Sequence, residues 1–133
     1  MDDKSLIKEA FLAREAAYAP YSGFTVGAAL LTAEGEVYRG CNIENATYGA
    51  TNCAERTAVF KAVSEGVADF IAIAIAGGIK GEKPVDYCYP CGICRQVLAE
   101  FDKNGALRII CAKSEEDYKV YSLKDLLPEC FSL

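Results

Sequence analysis

Three cysteines and one carboxylate make the most specific chemical offer in this chain. Cys91 and Cys94 stand three apart in Pro90-Cys91-Gly92-Ile93-Cys94, and Cys53 lies far upstream with Glu55 two residues after it. Three thiolates can hold a zinc ion and leave its fourth position open, and a nearby carboxylate can move protons there. At helical spacing, Cys91 and Cys94 are neighbours on one side of a first turn, so their sulfurs can converge on one ion. Pro90 is at home just before such a helix start. Cys53 opens another predicted helix. All three thiols then fall at helix N-termini, where the positive end of the dipole favours the thiolate that a metal requires. Arg56, directly after Glu55, is placed to hydrogen-bond a ligand sulfur and offset the negative charge that three thiolates bring.

Each of these residues also has a plainer reading. Free cysteines are often small buried hydrophobes, and a lone CxxC can be a redox pair. The redox motif belongs just after an early strand, whereas this pair falls late in the chain. Cys88 extends the run to a double C-x2-C, so a closed four-thiolate structural site with Cys53 stays open as an alternative, without a free position and without catalysis. Cys41 and Cys111 fall on predicted strands and Cys130 follows a proline near the end; these read as structural. Asn52 and Glu55 match a capping box, which alone could account for both. On an ideal helix Cys53 and Glu55 are about 200° apart, so both face one ion only if it sits off the helix end.

The elements that must position these residues follow from periodicity. Residues 5–18 read as an amphipathic helix capped by Ser5 and ended by Pro20. Residues 24–32 read as an apolar strand, 33–36 as a turn and 37–43 as its hairpin partner. A polar loop leads to a helix over 53–65, stopped by Gly66. The run Phe70 to Ala76 is apolar throughout, as in a strand covered on both faces. Residues 77–89 read as a loop, 91–101 as a helix, 107–111 and 118–121 as strands, and Ser122 caps a last short helix ended by Pro128. Strands separated by single helices imply right-handed parallel crossovers added to one antiparallel hairpin. The expected fold is α/β, a mixed sheet of about five strands with helices on both faces, in one domain spanning 1–133.

Composition narrows the chemistry further. The chain has 133 residues, 14 Lys and Arg against 19 Asp and Glu, and a net charge of -5. That balance disfavours nucleic acid as a partner. No apolar run is long enough to span a bilayer and the start lacks a signal peptide's pattern, so membrane attachment and export are not expected. Seven cysteines, an odd number, argue for reduced thiols and a cytoplasmic location over a disulfide framework. There is no histidine, which removes Ser-His and Cys-His nucleophile pairs and every histidine zinc ligand.

Cys53-Ala54-Glu55 with Pro90-Cys91-Gly92-Ile93-Cys94 resembles the zinc signature of the cytidine deaminase family in its small, homotetrameric form. Ala19-Pro20-Tyr21-Ser22, Phe24 to Leu30, Gly40 to Asn45, Cys53 to Ala58, Cys94-Arg95-Gln96 and Leu126-Leu127-Pro128 extend the resemblance over nearly the whole chain. It implies an α/β/α fold, one zinc per chain held by Cys53, Cys91 and Cys94, and hydrolysis of cytidine and 2'-deoxycytidine to the uridines with release of ammonia, a step of pyrimidine salvage. Glu55 would be the general base and then the acid. Asn42 and Glu44 would hold the ribose hydroxyls, Phe24 would pack against the base, and the backbone around Ala54 would read the pyrimidine. Phe131 would reach into a neighbouring subunit's site, with Tyr48 near the subunit contacts. Tyr89 replaces a residue that is more often small and polar, Cys88 is not expected, and the 77–86 loop is long; these bear on the pocket rim. A modified cytosine nucleoside is the alternative substrate.

Overall fold

In the computed structural model, which describes residues 1–133, the chain runs α1 (Asp3–Arg14), β1 (Phe24–Thr32), β2 (Val37–Cys41), α2 (Ala54–Ser64), β3 (Phe70–Ile79), α3 (Gly92–Glu100), β4 (Arg108–Ala112), β5 (Tyr118–Tyr121) and α4 (Leu123–Leu126). The five strands form one sheet in the order β2-β1-β3-β4-β5. β1 is antiparallel to both β2 and β3, β3 and β4 are parallel, and β4 and β5 are antiparallel. Because β2 and β3 both oppose β1, they run the same way. The β2–α2–β3 connection is therefore a crossover that steps over β1, and β3–α3–β4 is a crossover between neighbours. The hairpin and the crossovers match expectation. The antiparallel β1–β3 and β4–β5 pairs complete the mixed sheet.

Side-chain alternation along the strands explains the two covered faces. In β3, Ile73 and Ile75 point to one side and Ala72, Ala74 and Ala76 to the other. The isoleucine side joins Ala28, Leu30, Ile109 and Cys111 beneath Ala54, Ala58 and Ala62 of α2 and Leu98 of α3. The alanine side lies under Leu6, Ile7 and Ala10 of α1. Glycines set the helix-to-sheet distance. A Cβ on Gly27 would run into the α1 backbone at Ala10 and Arg14, and one on Gly40 into the α2 backbone at Ala54 and Ala58. Both glycines are there for close backbone approach.

Three local expectations are corrected. Asp2, not Ser5, caps α1: its carboxylate accepts the Ser5 N–H at 2.8 Å. Both residues are good caps, and the one placed earlier gains a turn of helix. At its other end α1 stops at Arg14, because Ala16 and Ala17 bond back three residues and the chain then joins the sheet edge through a Tyr18–Ile43 bridge. Finally, Gly77 and Gly78 are strand and not loop. They continue β3 opposite Val26 and Thr25, and a Cβ on Gly77 would press on Phe24, Val26 and Cys88.

Candidate active site

Two crossover helices begin side by side at the ends of their strands and bring the three thiols together. Cys53 is the N-cap of α2 and Cys91 the N-cap of α3, both with extended backbone, and Cys94 lies in the first turn of α3. The Sγ atoms of Cys53, Cys91 and Cys94 all lie within 4.8 Å of one another, and those of Cys53 and Cys91 are 3.6 Å apart. Cys91 Sγ also accepts the Cys94 N–H at 3.4 Å, the cap bond of α3. Around Cys53 the chain is fixed by a bridge between Ile43 and Asn52, with reciprocal N–H···O bonds of 2.9 Å. That bridge closes the 44–51 loop, with Glu44 as its first residue and Cys53 directly after its closing Asn52.

The charges around the sulfurs are arranged for an anion shared among them. The Arg56 guanidinium donates to Cys53 Sγ at 3.3 Å, while its Nε–H is buried without an acceptor. Hydrogen bonding from Cys94, then from Arg56 and Cys91, brings the Cys53 thiol down to about 5 against the opposing effect of burial. Cys94 is pushed well up, first by its bond to Cys53 and then by burial. Three thiols this close ionise together only with a cation among them. A set of three soft sulfur donors on two helix starts fits zinc. Glu55, in the first turn of α2, is only 3% exposed. Burial, reinforced by the Cys53 charge, pushes its carboxyl up to about 7. The capping box, the plainer reading of Asn52 and Glu55, is absent: the cap position belongs to Cys53, and the Asn52 side chain bonds Thr57 instead.

Cys88 stands outside the sulfur group. It packs against the core near Gly77, and burial holds its thiol up at about 12. The closed four-thiolate arrangement is not what the chain forms.

Residues 1–112 match the family profile described as the cytidine and deoxycytidylate deaminase zinc-binding region. The chain belongs to this deaminase family. It is 52% identical over 132 residues to the cytidine deaminase of Sporosarcina psychrophila, a match covering 99% of this chain and 93% of that one. The cytidine deaminase of Halalkalibacterium halodurans is 51% identical over 132 residues, covering 99% and 96%. Among solved structures, the cytidine deaminase of Burkholderia pseudomallei superposes with a TM-score of 0.88 at 48% identity, covering 98% of this chain and all of that one. The zinc-binding character of the family and the Cys53–Cys91–Cys94 cluster agree on one metal ion as cofactor.

The other residues singled out in this deaminase chain are distributed unevenly around the sulfurs. Ala54 is fully buried and Phe24, at the start of β1, is 40% exposed. Asn42 is nearly buried and its amide is engaged with β1: Oδ1 accepts the Val26 N–H at 2.8 Å and Nδ2 donates to the Phe24 carbonyl at 2.9 Å. One N–H and one lone pair of that amide remain for a ligand. The Glu44 carboxylate accepts N–H bonds from Tyr21 at 2.9 Å and Ser22 at 3.1 Å, and the Ser22 hydroxyl as well. Phe131 is 69% exposed, its carbonyl bonded by Gln96 at 3.0 Å. Tyr89 stacks edge-on with Tyr121 and Tyr87 bonds Asp117, so the extended segment before Cys91 is pinned to β5 and the turn that precedes it. Sequence reasoning had no signal for the Ser22–Glu44 pairing, since it joins residues more than twenty apart across a loop.

Proposed function

We propose that this chain catalyses the zinc-dependent hydrolytic deamination of cytidine and 2'-deoxycytidine, releasing ammonia and leaving the corresponding uridine. The observation that carries this is the buried Glu55 carboxyl beside three converged thiols at the starts of α2 and α3. Cys53, Cys91 and Cys94 would hold the ion. When bound, zinc supplies Lewis acidity and makes water a usable nucleophile at neutral pH. Glu55 takes the proton from the attacking water and delivers it to N3 of the cytosine ring, then takes the remaining proton of the hydroxyl added at C4 and passes it to the departing amine. A carboxyl poised near 7 by burial suits both roles. Arg56 holds Cys53 and offsets the thiolate charge. On the substrate side, Phe24 packs against the base, the α2 start at Ala54 reads its edge, and Asn42 and Glu44 take the ribose hydroxyls.

The net charge of -5 favours a small nucleoside over a polynucleotide. Free thiols at all seven cysteines favour the cytoplasm, and no helix is long and apolar enough to cross a membrane. The working unit is a homotetramer of this domain, with the exposed Phe131 completing a neighbour's site and Tyr48 near the contact. Exposed Phe60 and Ile93 on α2 and α3 supply an apolar surface for such assembly.

The test is the loss of cytidine absorbance on adding the zinc-loaded protein, repeated with Glu55→Gln. The wild type should turn over, and Glu55→Gln should lower kcat by roughly 10²–10⁴ while retaining its metal. Undiminished turnover by Glu55→Gln would remove Glu55 from the chemistry.

A further inference from the structure

One hydroxyl joins the two groups that the proposed function sets against sugar and base. Ser22 lies in the tight turn between α1 and β1, where Gly23 adopts φ +69° and its carbonyl is held by the Lys80 N–H at 2.8 Å. The Ser22 hydroxyl donates its only proton to Glu44 Oε2, and its oxygen accepts the Phe24 N–H at 3.0 Å. On the other side of Phe24, the carbonyl receives Asn42 Nδ2. The backbone of Phe24 is thus bracketed by Ser22 and Asn42, and Ser22 is bonded in turn to Glu44.

The carboxylate's acceptor sites can be counted. Two oxygens offer about four lone-pair directions. Oε1 uses two on the Tyr21 and Ser22 N–H groups, and Oε2 uses one on the Ser22 hydroxyl. About one direction remains free, on Oε2. The three donors, with the Ser22 hydroxyl foremost, also hold Glu44 below the usual carboxylate range, so it stays an acceptor. An ionised carboxylate with a single open direction is aimed; without the Ser22 hydroxyl Oε1 keeps its two N–H donors while Oε2 has no protein partner and its direction is no longer fixed. The residues lining the hollow around it include Tyr21, Asn45, Tyr48 and Thr51.

We propose that Ser22 is a positioning residue for the sugar: it aims Glu44 Oε2 at one ribose hydroxyl and locks that carboxylate to the strand start that carries Phe24. This deepens the function proposed above and rests on Glu44 taking the ribose. Ser22 itself touches no substrate atom. Its contribution is to fix sugar and base contacts in one register, so that a substrate lacking the sugar hydroxyls gains nothing from it.

The experiment compares kcat/KM for cytidine and for 2',3'-dideoxycytidine in the wild type, Ser22→Ala and Ser22→Thr. Ser22→Ala should lower kcat/KM for cytidine by roughly tenfold or more, mainly through KM, as expected for a lost hydrogen bond to a charged group. On the dideoxynucleoside the same substitution should cost less than about threefold. Ser22→Thr, which keeps the hydroxyl, should restore cytidine turnover to within a few fold of the wild type. The ratio of the two substrates within one variant cancels any loss of folded protein. Equal losses on both substrates would assign Ser22 to supporting Phe24 alone and overturn the inference, as would full cytidine activity in Ser22→Ala or failure of Ser22→Thr to restore it. A wild type that does not deaminate cytidine overturns the proposed function itself, an outcome separate from any pattern among the variants.

Discussion

Arg56 shows how one side chain bears on a metal site without entering it. Its guanidinium bonds Cys53 Sγ, and the thiol is drawn down to about 5 by Cys94 and Arg56 together. Substitution of Arg56 by Ala leaves three clustered thiols without their fixed cation, so ionising all of them for a metal becomes harder. The expected outcome is weaker zinc binding by roughly 10–100-fold, measured by competition with a chromogenic chelator, with secondary structure retained. Unchanged metal affinity would show that the helix starts alone supply the needed field. The sulfur cluster was legible in the sequence because i, i+3 spacing and a helix start are local properties. Glu55 was legible as a residue but not in its state: burial at 3% exposure, and the displacement of the cap to Cys53, come from α2 packing on the sheet. Ser22, Asn42 and Glu44 were unreadable as a connected set because the 18–24 and 42–44 segments, far apart in sequence, meet only in the folded chain, through the Tyr18–Ile43 bridge and the side-chain bonds beside it.

At the scale of elements, the site depends on how closely α2 lies on β2. Gly40 faces the α2 backbone at Ala54 and Ala58, and Gly27 stands in the same relation to α1. Gly40→Ala must push away the helix that carries Cys53 and Glu55. Gly27→Ala pushes on a helix that carries no thiol of the cluster. Each should destabilise by about 1–3 kcal/mol or more in thermal or denaturant unfolding. Only Gly40→Ala should also lower the zinc bound per folded chain, and equal metal loss in both would mean that the site follows global packing. The helix α1 is further tied to β4 by Asp3 and Arg108, paired through two bonds of 2.7 and 2.8 Å. The bond from Arg108 holds the Asp3 carboxyl below its ordinary value of 3.8. A depressed carboxyl contributes stability above its unfolded value and loses it as pH falls through the folded one. Asp3→Asn should therefore cost about 0.5 kcal/mol at neutral pH, the scale of an exposed pair, and the gap to wild type should start to narrow near pH 3.8 and close only once the pH is below the lower folded value. A gap that persists there would assign the contact to shape and not charge. Strand β3 was readable because Phe70 to Ala76 is apolar throughout, as a strand covered on both faces must be. The end of β3 was not, since Gly77-Gly78 has the composition of a turn and is held as strand by its pairing with β1.

At the scale of the whole molecule, several large apolar side chains point outward: Tyr48, Phe60, Ile93 and Phe131 are all half-exposed or more. An isolated chain would leave them in water, and the proposed tetramer would give them a surface to pack against. The C-terminal segment is tied to the helix of the sulfur cluster, since Arg95 bonds the Pro90 and Leu126 carbonyls at 2.7 Å each and Gln96 bonds that of Phe131. A segment fixed to its own α3 but presenting an exposed phenylalanine, Phe131, is suited to reach across an interface. If Phe131 completes a neighbour's site while Glu55 serves its own, the two defects are complementary. Glu55→Gln and Phe131→Ala proteins, each of low activity alone, should regain turnover when co-assembled. In random equal mixtures about one site in four would combine an intact Glu55 with an intact Phe131. Activity of the co-refolded mixture, compared with the same proteins mixed without dissociation, measures this. No gain on co-assembly, with native mass spectrometry showing tetramers of mixed composition, would mean that each chain builds its site alone and that Phe131 only seals the contact.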